Sequence, residues 1–201
     1  MKYFDMDQSL PLVTDWLLCA SSLLEPNYFQ LPVEGKENPK YRERVYCYEL
    51  YHLWRLHWID NFPFSLCGEV DKEGHPIIRG KHKPDFLVHI PGERTNLLVV
   101  EVKPRNARNN DIIDDLEKLT YFRREIKDKN GEDANYYAAY FWIYGLSIKN
   151  WYSKWDRILQ KIRRSSKIDY SLISFFVHES PGSPAKKVPM KIFSNMITSP
   201  E

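Results

Sequence analysis

The chain has 201 residues, of which 43% are hydrophobic and 28% charged, the balance of a soluble globular protein with one substantial core and too little length for two comfortable domains. A formal net charge of +2 neither demands nor excludes a polyanionic partner, so the distribution of charge has to decide. The three cysteines Cys19, Cys47 and Cys67 form no C-x-x-C pair, which argues against a disulfide framework or zinc knuckle and fits a reducing cytoplasm. No apolar stretch approaches the length of a membrane span and no targeting signal is read, so no membrane association is expected.

In chain order, Thr14 to Leu24 predicts a short packing helix capped by Thr14 or Asp15. The proline-rich segment from Glu25 to Pro39 reads as an irregular connection. A stronger helix is expected from about Tyr41 to Asp60, with Val45, Leu53 and Leu56 within roughly 40–60° of Glu49 on a helical wheel. Glu49 is thereby expected as an acid on an apolar face. Such a carboxylate needs a metal, a salt bridge to Arg42 or a hydrogen bond to a neighbouring tyrosine. Phe64 to Val70 predicts a strand carrying Glu69, read as a solvated strand-edge acid outside the core site.

Pro84 to Pro104 is the most informative stretch. The runs Asp85-Phe86-Leu87-Val88-His89-Ile90 and Leu97-Leu98-Val99-Val100-Glu101-Val102-Lys103 flank a short polar connection and predict a hairpin. Centring the turn on Glu93 pairs Ile90 with Asn96, Val88 with Leu98 and Asp85 with Glu101. Two carboxylates then face each other, an arrangement that is costly without a cation between them. With the two-residue period of a strand, Glu101 and Lys103 leave one face while Val100 and Val102 enter the other. His52 and His89 are expected nearby but are assigned no role.

Downstream, Asn109-Asn110-Asp111 reads as a helix cap, followed by Ile112, Leu116, Leu119 and Ile126 at helical spacing. Asp114 and Asp115 are read as partners of the helix dipole. Tyr136 to Tyr144 predicts a buried strand, Ile148 to Arg164 a basic helix, and Leu172 to Val177 a last strand. A strand, helix and strand in this order predict a parallel crossover.

Pro84-Asp85, fifteen intervening residues and Glu101-Val102-Lys103 resemble the signature of the PD-(D/E)xK nuclease superfamily, and the acid beginning one strand with E-x-K ending the next is the context that signature needs. The resemblance implies an α/β (α+β) restriction-endonuclease-like core: a central mixed β-sheet flanked by helices in the order αβββαβ. That core would span about residues 41–178 of a single domain over 1–201, with an N-terminal helical extension 1–40 and a C-terminal tail 179–201.

The resemblance further implies a metal-dependent nuclease that hydrolyses phosphodiester bonds, of DNA ahead of RNA and as an endonuclease ahead of an exonuclease. Asp85, Glu101, Lys103 and Glu49 would be its catalytic residues. Glu49, Asp85, Glu101 and the carbonyl of Val102 would ligate Mg²⁺ or Mn²⁺, since oxygen-only ligation suits hard cations. Lys103 would orient the attacking water and neutralise charge, acting as acid or base if its pKa is depressed. Lys83, Arg105 and Arg108, with the basic run 79–83, flank the site as a phosphate backbone would require. A homodimer or partner proteins are a conditional expectation for cutting both strands. The alternative is an inactive nucleic-acid-binding or interaction module on the same fold, and no separate DNA-reading motif sets a sequence preference.

Overall fold

The computed structural model describes residues 5–68, 83–128, 130–162 and 167–189. Its helices are α1 (Met6–Ser22), α2 (Pro26–Phe29), α3 (Glu43–Arg55), α4 (Asn109–Arg124) and α5 (Ile148–Ile162), and its strands are β1 (Ser65–Gly68), β2 (Phe86–His89), β3 (Asn96–Pro104), β4 (Ala138–Tyr144), β5 (Ile173–His178) and β6 (Lys186–Lys187). The six strands form one mixed sheet in sequential order. β1, β2 and β3 are antiparallel, β3, β4 and β5 run parallel, and β6 closes the far edge antiparallel to β5. Helices cover both faces, and the two parallel steps are made through α4 and α5, since parallel neighbours need a crossover.

The alternation of β3 divides the core. Val100 and Val102 pack with Tyr140, Trp142 and the buried residues of α1 and α3. Val99 packs on the other face with Phe141, Ile112, Leu116 and Leu119. Glu101 and Lys103 share the parity of Val99, and so leave β3 on the α4 side. β4 is buried along its whole length, as a central parallel strand covered on both faces should be.

Several expectations are corrected. α1 begins at Met6 behind an Asp5 cap, whose carboxylate accepts from the Asp7 N–H at 2.9 Å, and it runs through Pro11 at the cost of one backbone bond. Thr14 is no cap; its hydroxyl lies 2.7 Å from both the Leu10 carbonyl and the Tyr140 hydroxyl. In the hairpin the Val88–Leu98 pairing stands, but a bulge sets His89 against Asn96 and Ile90 donates to the Thr95 carbonyl at 2.9 Å. The extra residue, Leu97, joins Leu98 in the same buried cluster, which strict alternation would forbid. Expected Glu69 and the basic positions 79–82 lie outside the described residues. Among the described residues no helix is long and apolar enough to cross a membrane.

Candidate active site

Continuing the pairing of Phe86 with Val100 by one residue brings Asp85 level with Glu101. Asp85 closes the junction itself: its Oδ2 accepts the backbone N–H of Val102 at 2.7 Å. The carboxylate is thereby held against the middle residue of Glu101-Val102-Lys103. Val102 turns its side chain into the opposite core, leaving its backbone for the site.

Two ammonium groups knit the acids together. Lys103 Nζ lies 2.9 Å from Glu43 Oε1 and 3.0 Å from Asp115 Oδ2. Lys118 Nζ lies 2.8 Å from Glu101 Oε1 and 2.9 Å from Asp115 Oδ1. Asp115 thus bridges the two lysines, one from β3 and one from its own helix. Glu101 is 1% exposed, a depth at which a carboxylate is tolerated only when paired or bound to a cation.

Electrostatics follow from this crowding. Burial, only partly offset by Lys103 and the Val102 N–H, and reinforced by Glu43 and Asp115, pushes the Asp85 carboxyl up to about 7. Burial, Asp115 and Asp85 raise Glu101 well above the usual carboxylate range against the pull of Lys118. Burial disfavours the Lys103 ammonium, but Asp115, Asp85, Glu43 and Glu101 outweigh it and raise its pKa. Lys118 behaves likewise beside Glu101 and Asp115. With these acids around it Lys103 stays a cation at neutral pH, which suits charge neutralisation.

The helix acid beside this cluster is Glu43. The buried residues of α3 are Tyr46, Cys47, Leu50 and Trp54, whereas Glu49 is half-buried beside that seam and Leu56 is 67% exposed. α3 packs on the sheet face opposite the Glu101 side chain, so its carboxylates reach the site only round the end of β3. Glu43, in the first turn, does so; Glu49 lies six residues or ~9 Å further along the axis. A cleft of about 430 Å³ opens beside Asp85 and is lined by Arg42, Glu43, Arg44, Val45 and Tyr48.

Of the flanking cations, Lys83 and Arg105 are exposed, and Arg108 makes a two-point pair with Asp111 at 3.0 and 2.7 Å. Lys154 of α5 donates to the carbonyls of Arg105 and Ala107 at 3.1 and 2.7 Å, bracing the turn that follows Lys103. His52 is exposed on α3. His89 lies 3.4 Å from the Cys67 sulfur, at the end of β2 away from Asp85.

Glu43, Asp115 and Lys118 are residues of the cluster that sequence reasoning missed. Asp115 follows Ile112 by three and precedes Leu119 by four, and so lies on the buried stripe of α4. The wheel argument applied to Glu49 would have found it.

The oxygen donors Asp85 and Glu101, with Glu43 and Asp115 alongside, are the chemistry that a hard divalent cation takes. Among the described residues no three His, Cys, Asp or Glu side chains stand in a group ready to hold an ion; the two lysines lie between the acids. Comparison with protein-family models and with curated proteins finds no match for this chain.

Proposed function

We propose that the chain is a metal-dependent nuclease on a restriction-endonuclease-like core, acting on DNA. The observation that carries this reading is the convergence of Asp85, Glu101 and Lys103 through the Asp85–Val102 bond. The same three residues carry the sequence resemblance, and their joint placement is what hydrolysis of a phosphodiester by this chemistry requires. The order α3-β1-β2-β3-α4-β4, with antiparallel strands leading into a parallel crossover, supports the same reading.

Asp85 and Glu101 would hold Mg²⁺ or Mn²⁺, with Glu43 as the helix acid in place of the expected Glu49. The cation supplies Lewis-acid activation of water and charge neutralisation at the phosphate. Lys103, released from Glu43 or Asp115, orients the attacking water and offsets the negative charge that grows on the phosphoryl oxygens. Arg42 and Arg44, lining the cleft beside Asp85, lead the polyanion to these groups, while Lys83 and Arg105 extend the cationic rim. The carbonyl of Val102 remains a candidate ligand by its place between Glu101 and Lys103.

The test is incubation of the full chain with single-stranded DNA, duplex DNA and RNA, each with Mg²⁺, Mn²⁺ or EDTA. Metal-dependent cutting of DNA supports the proposal. Retained nucleic-acid binding with no cutting under any metal would favour an inactive binding module instead.

A further inference from the structure

The acid cluster contains one group for which the nuclease reading has no use. Lys118, two turns into α4, points its ammonium at Glu101 and Asp115 and lies 3.5 Å from the backbone carbonyl of Lys83, two residues before Asp85. Its side chain is 15% exposed, against 1% for that of Glu101 and 8% for that of Asp115. One cation thus touches the E-x-K strand, the following helix and the chain entering β2.

As a purely structural device this arrangement is expensive. Most of the inner stripe of α4 is apolar, with Ile112, Leu116, Leu119 and Phe122 all fully buried, and its buried Thr120 is uncharged. Replacing a buried ion pair by apolar groups is often neutral or stabilising, so packing alone gives little reason for Asp115 and Lys118 on that stripe. A site that must keep carboxylates ready for a divalent cation has such a reason. Left alone, those carboxylates repel one another and disfavour folding. An ammonium on a flexible four-carbon stem can neutralise them and then withdraw.

We infer that Lys118 is a resident counter-cation, which occupies the Glu101–Asp115 side of the site in the metal-free protein and competes with the divalent cation for it. The inference rests on the metal-site reading above and adds to it a residue that tunes metal affinity. Asp115 becomes the carboxylate that keeps Lys118 when Glu101 turns to the metal.

The test is calorimetric titration of Mn²⁺ into the full-length wild type, Lys118→Met and Lys118→Arg at about pH 8, above the titration of Asp85. Lys118→Met, similar in length and uncharged, is expected to bind Mn²⁺ roughly ten-fold more tightly, and Lys118→Arg to remain near wild type. If Lys118→Met is too unstable to titrate, Lys118→Gln retains a donor for Asp115, and the rise in its melting temperature on adding Mn²⁺ should exceed that of the wild type. Equal or weaker Mn²⁺ binding by the uncharged variants, in a wild type that does bind Mn²⁺, overturns the counter-cation role alone. Absence of binding and of any melting shift in every variant overturns the metal-site reading with it.

Discussion

The side chain of Asp85 is fastened to the backbone of Val102, its Oδ2 accepting the N–H at 2.7 Å, so the acid that begins one strand is locked to the middle of Glu101-Val102-Lys103 on the next. An asparagine could accept the same bond, which separates the charge of Asp85 from its structural part. Because burial raises the Asp85 carboxyl to about 7 in the fold, the folded protein holds that proton more tightly than the unfolded chain. The stabilisation is full below about pH 4 and is lost as pH rises through about 7. Without metal, Asp85→Asn should therefore gain stability relative to the wild type across that window, as read by urea denaturation at several pH values. Parallel curves would show that Asp85 is not under this strain.

Lys103 ties α3 to α4 through Glu43 and Asp115. Lys103→Met leaves Glu43 and Asp115 with one cation fewer, and should cost about 3 kcal/mol of stability in chemical denaturation. Glu43→Gln should cost about 1 kcal/mol or less, because the Glu43 side chain is 35% exposed and water screens its pair. The reverse ranking would place the structural weight on α3.

On the proposed nuclease reading, the two α3 glutamates should separate by activity. Glu43→Gln should lower single-turnover cleavage by ~100-fold or more, about 2.7 kcal/mol of barrier, while Glu49→Gln should stay within about two-fold of wild type. Comparable losses in both variants would return Glu49 to the site.

On the opposite face, the Tyr46 hydroxyl accepts from Trp142 Nε1 at 2.7 Å and lies 2.7 Å from His178 Nδ1. The Tyr46 hydroxyl still has its proton to give to a neutral His178, whose pKa is pushed down to about 4 by burial against the pull of the Ser180 and Ser183 backbone. The unfolded chain takes up that proton more readily, so this stabilisation is present above about pH 6.5 and lost as pH falls through about 4. In His178→Leu that acid-side loss should flatten, and stability at neutral pH should drop by about 1–2 kcal/mol because Tyr46 loses its acceptor. Denaturation of both proteins from neutral to acidic pH measures both effects.

These residues also mark how far the sequence could be read. The hairpin and the shared parity of Glu101 and Lys103 were legible because alternation of apolar residues is a direct consequence of strand geometry. The bulge at Leu97 was not, since two adjacent buried leucines fit either register. On α3 the stripe of Val45, Leu53 and Leu56 points to a different face from the one the helix buries, which is that of Tyr46, Cys47, Leu50 and Trp54; tertiary packing chose the face. Asp115 reads from the sequence as a dipole partner, as acids near a helix start usually are. β6 is two exposed lysines with no apolar pattern to announce it.

Phosphodiester cleavage with a divalent cation is the activity proposed for these groups. Its most direct test is single-turnover cleavage of end-labelled duplex DNA by the full chain and by Glu101→Gln, with Mg²⁺ and with EDTA. Cutting is expected from the wild type with Mg²⁺ alone, with a loss of at least ~1,000-fold in the variant and its fold retained by circular dichroism. Cutting that survives EDTA, or a Glu101→Gln protein as active as the wild type, would contradict it.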